Sequence, residues 1–409
     1  MRILFTIHPN KTLFEYLVPL AWALRTAGHE VRVASQPAFA DVITQAGLTA
    51  QPIGKDHDPW DVPDPDQPLA GRAGLPRPYD VAADPGAADW EHLRDGYAGA
   101  IDTWHKLETF SSVPDLVTFA RFWRPDLVVW EATTYAGAIA AKACGAAHAR
   151  FIFGLDLFGV TREHFLRLKG DRPEDPLAEW LGKYATKYGL RYSEDLATGQ
   201  FTIDQFPGSL RLSADLQYVS ARFTPYEGPA LVAKWLWGSP ERTRVALVRP
   251  IEGYPVAPRE LVASLAELDA EIVVSTSQEW GPVPDNVRVV GDAPLHALIP
   301  TCSAVVHHAD FGSTALAAAY GVPQVTLPWH FDQPIYAGRL AAQGAGLSIA
   351  PEDAGAAAVA GAVRRALTDP SVRDGAARLR AEMQALPTAN QVVGRLEELT
   401  VKHRVPSVG

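Results

Sequence analysis

Cysteine and methionine are scarce in this chain, with two of each among 409 residues. Cys144 and Cys302 both lie in apolar segments, which excludes a disulfide-stapled scaffold and fits a reducing compartment. No apolar stretch approaches the roughly 20 residues needed to cross a bilayer, and the longest candidate, 132–147, is interrupted by Lys142. The N-terminus lacks the pattern of a signal peptide. We therefore expect a soluble, cytoplasmic protein without a membrane partner.

The sequence also has no long run of lysine or arginine. Its formal net charge is −10, so the average surface repels polyanions, and no nucleic-acid partner is expected. A small anionic ligand would need a locally positive site.

Short apolar runs alternate with helical patterns in both halves of the chain, which predicts an α/β protein. The first half opens with a strand at 3–7, a helix at 17–27 and a strand at 30–35. The pattern breaks near 226–242, and a new strand begins at 245. The length favours two cores. We predict two Rossmann-like, doubly wound domains facing across a cleft, with boundaries 1–225 and 226–385, followed by a closing helix and tail at 386–409.

Residues 55–89 are rich in Pro, Asp and Gly and show neither period, which predicts a long loop. Together with the early helices, this loop is expected to contribute to a ligand surface. Its Trp60 is one of several tryptophans that are more often core residues than ligand contacts.

The segment 307–314, His-His-Ala-Asp-Phe-Gly-Ser-Thr, follows an apolar strand and opens a helix. The N–H groups and positive dipole of a helix N-terminus favour a phosphate. We assign His308, Gly312, Ser313 and Thr314 to a diphosphate. The alternative is an ordinary strand-to-helix turn capped by Ser313.

A second polar cluster, with Asp332 and Gln333, follows the next apolar run, so both clusters should lie at the carboxyl edge of one parallel sheet. Asp332 and Gln333 are candidates for binding sugar hydroxyls, or Asp332 is a helix cap. Arg249, at the end of the domain's first strand, could pair with a phosphate or form a surface ion pair. His296 opens a predicted helix near the same edge.

Several segments resemble the actinobacterial deoxysugar glycosyltransferases of macrolide and anthracycline pathways, including the desosaminyl and aminosugar transferases, in glycosyltransferase family 1. The resemblance covers nearly the whole chain, with 55–89 as its poorest part. It is carried by residues 18–24, 27–31, 123–131, 174–181, 307–314, 321–324 and 344–346.

The resemblance implies the GT-B fold and an inverting transfer without metal or cofactor. The implied donor is a TDP-deoxysugar bound by the C-terminal domain, where His296 would lie near the nucleotide base. The implied acceptor is a polyketide-type aglycone bound by the N-terminal domain. Relatives often need a cytochrome-P450-like activator, and a homodimer is a second possible assembly.

Two positions depart from the family pattern. The family's basic histidine in the first loop falls on Leu13, which cannot accept a proton, so His8 is the first substitute and Glu15 and Glu131 follow. Two glycines of the family are replaced by Ala309 and Asp310, and Asp310 places a carboxylate beside the expected diphosphate. These departures leave open a non-catalytic helper or binding protein of the same fold; a sugar-nucleotide epimerase is a further alternative on this architecture.

Overall fold

The computed structural model of the chain describes residues 1–57, 75–86, 88–250, 254–291 and 293–405. Residues 58–74 of the predicted loop, including Trp60, therefore lie outside the described residues. The described end of that loop forms one turn of 3-10 helix, Tyr79–Ala82, and Tyr79 is buried. In the described ranges, no helix has both the length and the apolar character needed to span a membrane.

The N-terminal domain has a seven-stranded parallel sheet. Its strands are β1 Arg2–Thr6, β2 Glu30–Ser35, β3 Thr49–Pro52, β4 Leu127–Glu131, β5 Ala147–Phe151, β6 Phe201–Asp204 and β7 Tyr218–Ser220. They lie in the order β3-β2-β1-β4-β5-β6-β7. Strands β4 and β5 are buried over their whole length. The first four residues of β4 are all apolar, as expected for a strand that is covered on both faces. The order reverses between β1 and β4, so a crevice opens at the carboxyl ends of those two strands.

The C-terminal domain repeats this design with six parallel strands. They are β8 Arg244–Val248, β9 Glu271–Ser275, β10 Val287–Val290, β11 Ala304–His307, β12 Gln324–Thr326 and β13 Gly346–Ser348. Their order is β10-β9-β8-β11-β12-β13, with the reversal between β8 and β11. The prediction of two doubly wound α/β domains is confirmed.

Helices cover both sheets. In the N-terminal domain they are α1 Lys11–Thr26, α2 Ala40–Gln45, α3 Trp90–Ala100, α4 Lys106–Phe110, α5 Val113–Trp123, α6 Ala136–Cys144, α7 Leu157–Lys169, α8 Pro176–Lys187 and α9 Asp195–Thr198. In the C-terminal part they are α10 Pro258–Leu265, α11 Leu295–Leu298, α12 Phe311–Tyr320, α13 Gln333–Ala342, α14 Ala356–Thr368, α15 Pro370–Ala385 and α16 Ala389–His403.

Helix α1 begins earlier than the sequence pattern predicted, at Lys11 instead of Leu17. Asn10 is extended and its side chain accepts a hydrogen bond from Leu13 N–H at 3.2 Å, so it is a side-chain N-cap. The added turns place Glu15 and Tyr16 on the helix, directed toward the C-terminal domain.

The closing helix α16 packs back against α1 and β5 of the N-terminal domain. Arg404 pairs with Asp126, and His29 Nε2 lies 3.0 Å from Glu397 Oε1. The chain therefore crosses between the domains twice, once between β7 and β8 and once between α15 and α16.

Arg124 ends helix α5 in the left-handed conformation, at φ 52° and ψ 66°, with an exposed side chain. Because glycine has no Cβ penalty there, Arg124→Gly should stabilise the protein by about 1 kcal/mol. Urea unfolding should show a higher midpoint. The matched control is Arg121→Gly in the same helix, which should lower the midpoint because glycine weakens a helix interior by about 1 kcal/mol. A lower midpoint for Arg124→Gly would contradict this account.

Candidate functional site

The two adjacent histidines at the end of β11 make different contacts. His307 is fully buried, donates from Nε2 to Gln324 Oε1 at 2.9 Å, and accepts the Ala309 N–H on Nδ1 at 3.0 Å. These bonds hold the turn into α12, in which Ala309 has a left-handed φ of 61°. The structure thus assigns His307 to the backbone of the turn.

His308 lies on the opposite side of the chain, toward the cleft between the domains. Its Nδ1–H donates to the Leu327 carbonyl at 2.7 Å, and its ring meets the edge of Tyr254 at 5.1 Å. Burial lowers the pKa of His308 to about 4, so the ring is neutral near pH 7. To donate from Nε2 to a phosphate as well, the ring would have to take up a proton.

The first turn of α12 carries the predicted hydroxyls. Ser313 Oγ and Thr314 Oγ1 are buried, and neither has a hydrogen-bond partner among the described residues. Asp310 is the N-cap, because its carboxylate accepts the Ser313 N–H at 2.9 Å. A cap by Ser313 is therefore not what the structure shows. The helix dipole stabilises the Asp310 charge at this end.

Tyr16 of α1 packs against the same turn from the N-terminal domain. Its ring centroid lies 4.6 Å from that of Phe311, and Gly312 N–H donates to its hydroxyl. Gly312 allows this approach, since a Cβ there would lie 2.7 Å from the Tyr16 oxygen. Burial raises the pKa of Tyr16 well above its usual value, so the phenol stays neutral.

Arg249, Glu15 and Glu227 surround the narrow space beside this contact. Arg249 is exposed and lowers the pKa of Glu15, whereas burial and the charge of Glu227 raise it. Glu15 also lies 3.9 Å from Lys11 Nζ. The cavity between these side chains measures only about 30 Å³. Its walls include Thr12, Glu15, Tyr16, Arg249, Gly312 and Ser313.

His296 borders this region through Glu227. The Glu227 carboxylate accepts both the His296 N–H and Nδ1–H at 2.9 Å, which caps the start of α11. The imidazole is therefore held by the connection between the domains, at a position adjoining the cavity.

Asp332 and Gln333 stand at the start of α13, where the sequence predicted them. Asp332 Oδ2 reaches across the cleft and accepts the Leu155 N–H at 3.3 Å, while Gln333 Oε1 accepts the N–H groups of Trp329 and His330. Burial raises the pKa of Asp332 to about 7. Both side chains are engaged with protein groups in this closed arrangement.

On the N-terminal side, Thr134 connects two of the candidate bases. The His8 N–H donates to Thr134 Oγ1 at 3.1 Å, and Thr134 Oγ1 donates to Glu131 Oε2 at 2.8 Å. Glu131 also accepts the N–H and hydroxyl of Thr133. His8 and Glu131 thus lie side by side at the carboxyl ends of β1 and β4.

Glu108 of α4 is a buried carboxyl group that sequence reasoning missed. Burial and the nearby charge of Glu131 raise its pKa to about 8. Glu131 has the larger set of donors, so we place the negative charge on Glu131 and the shared proton on Glu108. A glutamate in an amphipathic helix normally faces water, so the sequence contained no signal for this pair.

An aromatic cluster fills the N-terminal side of the cleft beside this pair. His105 is buried, bonds the Tyr79 hydroxyl, and stacks on Trp104 with centroids 4.9 Å apart. Phe331 of the C-terminal domain meets Trp104 at 6.1 Å. The sequence analysis assigned no role in the site to Trp104 or to His105.

A surface groove of about 730 Å³ lies elsewhere. Its walls include Thr243, Ser303 and Pro323, which precede β8, β11 and β12, so it opens at the amino edge of the sheet. Ligands of open α/β sheets bind at the carboxyl edge, where the candidate residues gather.

The chain is similar to known proteins over nearly its whole length. Sequence profiles described as Erythromycin biosynthesis protein CIII-like match residues 22–249 with their N-terminal domain and 259–399 with their C-terminal domain. The chain is 43% identical to 10-deoxymethynolide desosaminyltransferase of Streptomyces venezuelae, covering 99% of both chains. It is 42% identical to the TDP-daunosamine transferase DnrS of Streptomyces peucetius, covering 100% of this chain and 99% of that one.

Solved structures give the same fold. The glycosyltransferase VinC in complex with dTDP superposes with a TM-score of 0.88 at 36% identity, covering 98% of this chain and 100% of that one. The spinosyn forosaminyltransferase SpnP superposes with a TM-score of 0.83 at 36% identity, covering 98% and 99%. The GT-B arrangement implied by the sequence resemblance is confirmed.

The Glu108 and Glu131 pair predicts a pH-dependent stability. The pKa of Glu108 is about 8 in the folded protein against about 4.5 for an exposed glutamate, so between these pH values the unfolded chain releases a proton that the folded chain keeps. Stability should therefore fall as pH rises through that interval. Glu108→Gln should melt at a higher temperature than the parent near pH 8, with the difference shrinking toward about pH 5.

The matched control is Glu91→Gln, the same chemical change at an exposed position of α3. It should leave the pH profile of the melting temperature unchanged. Parallel profiles for Glu108→Gln and the parent would show that Glu108 is ionised in the folded protein.

Proposed function

The chain belongs to the Erythromycin biosynthesis protein CIII-like family of glycosyltransferases, and we propose that it moves a deoxysugar from a TDP-sugar to a polyketide-type aglycone with inversion at the anomeric carbon. The acceptor class is that of macrolide or anthracycline aglycones in antibiotic biosynthesis. The full-length relatives named above support this class, because they include one transferase for a macrolide aglycone and one for TDP-daunosamine.

The observation that carries the proposal is the pair of buried hydroxyls at the start of α12. Ser313 and Thr314 have no partner among the described residues, and a buried polar group without a partner is costly. A diphosphate oxygen at the helix N-terminus would satisfy both hydroxyls and gain from the helix dipole.

The leaving group determines what the donor residues must do. As the bond between the anomeric carbon and the phosphate oxygen breaks, negative charge builds on the diphosphate. Ser313, Thr314 and a protonated His308 would stabilise that charge, and Arg249 would add a positive field from the end of β8. Asp332 and Gln333 would orient the sugar once Asp332 leaves the Leu155 N–H.

The acceptor hydroxyl must lose its proton as it attacks. We assign this proton to the imidazole of His8, which follows the carboxyl end of β1. The backbone N–H of His8 donates to Thr134 Oγ1, which in turn donates to Glu131, so these bonds position the His8 backbone beside Glu131. The ionised Glu131 would stabilise the imidazolium that forms. Glu15 is the less suitable base, because it lies in the narrow space between Arg249 and Glu227.

The proposal extends to location and partners. A cytoplasmic location is supported by the two free cysteines, Cys144 and Cys302. A P450-like activator or a second copy of the chain would have exposed apolar side chains to bind, among them Phe122, Leu231 and Trp237.

A single-turnover assay tests the donor assignment. The purified chain is mixed with a panel of TDP-deoxysugars and of macrolide and anthracycline aglycones, and TDP release should require both substrates. Ser313→Ala should lower kcat/KM about 10- to 100-fold, the cost of one hydrogen bond to a charged group. The matched control is Ser371→Ala on the surface of α15.

Tight donor binding without turnover would instead indicate the helper protein. Rearranged nucleotide-sugar in the absence of an acceptor would indicate the epimerase.

Substitution of His8 tests the base assignment. His8→Gln should lower kcat about 100- to 10,000-fold, because a general base contributes that much, while leaving the Kd of the TDP-sugar unchanged. Thr134→Val should have a smaller effect on kcat and should shift its pH profile, since Thr134 only links His8 to Glu131. Full turnover by His8→Gln would show that His8 is not the base.

A further inference from the structure

Several of the N–H groups around the predicted diphosphate site are already bonded within the chain. Ala309 N–H bonds His307, Gly312 N–H bonds the Tyr16 hydroxyl and Ser313 N–H bonds Asp310. Thr314 N–H makes the first helical bond, to the Asp310 carbonyl at 3.0 Å. A helix N-terminus binds an anion through N–H groups that lack a partner, so these four N–H groups cannot receive a diphosphate as they stand.

The three side chains that accept these N–H bonds come from different parts of the chain. His307 and Asp310 belong to the same turn as the groups they bind, so they move with α12. Tyr16 comes from the other domain, on α1, and its contact depends on how closely the domains approach. Tyr16 is therefore the one of the three that a movement of the domains can remove.

The space beside Tyr16 confirms that the site is closed. The cavity between Tyr16, Arg249 and Ser313 measures about 30 Å³, room for only a few water molecules. Pockets for small-molecule ligands usually measure about 300 to 1,000 Å³. A nucleoside diphosphate therefore requires α1 and α12 to separate.

The charged groups beside the contact between Tyr16 and α12 favour the closed arrangement over the binding of an anion. Glu15 lies next to Tyr16 on α1, and Glu227 faces the same cavity. Arg249 is balanced by these carboxylates while the domains are together. When α1 moves away from α12, Glu15 moves with it. The positive charge of Arg249 is then no longer balanced by Glu15 and can attract the phosphates.

We propose that Tyr16 is a gate on the donor site. Its hydroxyl occupies the Gly312 N–H and its ring closes the space at the start of α12, so that a nucleoside diphosphate binds only after α1 has moved away from α12. This inference rests on the proposed function, because it takes the diphosphate to bind at α12. Its consequence is a donor affinity reduced by the fraction of molecules in which the gate is closed.

Calorimetric titration with TDP tests the gate. Tyr16→Phe keeps the ring and its packing on Phe311 but frees the Gly312 N–H, so TDP should bind about 5-fold tighter than to the parent, the value of one hydrogen bond. Tyr16→Ala also removes the ring and should tighten TDP by about 10-fold or more. Thermal melting establishes that each variant is folded.

Two controls isolate the phosphate site. Thymidine lacks the phosphates, so its Kd should be the same for the parent and Tyr16→Phe. Tyr97→Phe removes a hydroxyl from a tyrosine that is equally buried in the N-terminal domain but packs on Phe165 and Tyr79, and it should leave the Kd for TDP unchanged.

The outcomes separate the gate from the proposed function. Equal TDP affinity for the parent, Tyr16→Phe and Tyr16→Ala would overturn the gate while leaving the donor site in place. Failure of all three to bind TDP or any TDP-sugar would overturn both. A tighter Kd for thymidine in Tyr16→Phe would also overturn the gate, because the change would not act through the phosphates.

Discussion

The N–H groups at the start of α12 have no partner within the helix, and their need for partners determines how the rest of this site is arranged. A helix that begins at the carboxyl end of a central strand must find partners for its first amides. Here His307, Asp310 and Tyr16 supply them. Two of these partners are local and permanent, and the third comes from the other domain. The proposed nucleotide site would use the same amides, so in that proposal substrate binding and domain contact depend on one set of groups.

Buried acids gather along the same cleft. Burial raises the pKa of Asp332 to about 7 and that of Glu108 to about 8, and Ser313 and Thr314 bury hydroxyls without partners among the described residues. Such groups lower the stability of the folded protein. Their concentration at the carboxyl edges of both sheets, while the strands themselves are apolar, is typical of a site in which function takes precedence over stability.

The sequence predicted the local elements well and the contacts between them poorly. The strand at 304–307 and the helix that follows it were placed correctly because apolar runs and polar turns are local signals. The start of α1 was missed, although Asn10 is a favourable cap. Tyr16, Glu108 and His105 were not named as site residues, because their roles depend on groups far away in sequence. The replacement of two family glycines by Ala309 and Asp310 did mark the start of α12 as unusual, and Asp310 proved to be the N-cap of that helix.

The return of α16 to the N-terminal domain has a mechanical consequence. Because the backbone passes between the halves at two places, one near 221–243 and the other near 386–388, separation of the halves is restricted largely to rotation about a hinge axis through both connections. Complete detachment of the halves would require α16 to leave the N-terminal domain, which would break the Arg404 and Asp126 ion pair. If product departure follows the same rotation, the stiffness of these two connections limits how fast the enzyme can begin another cycle.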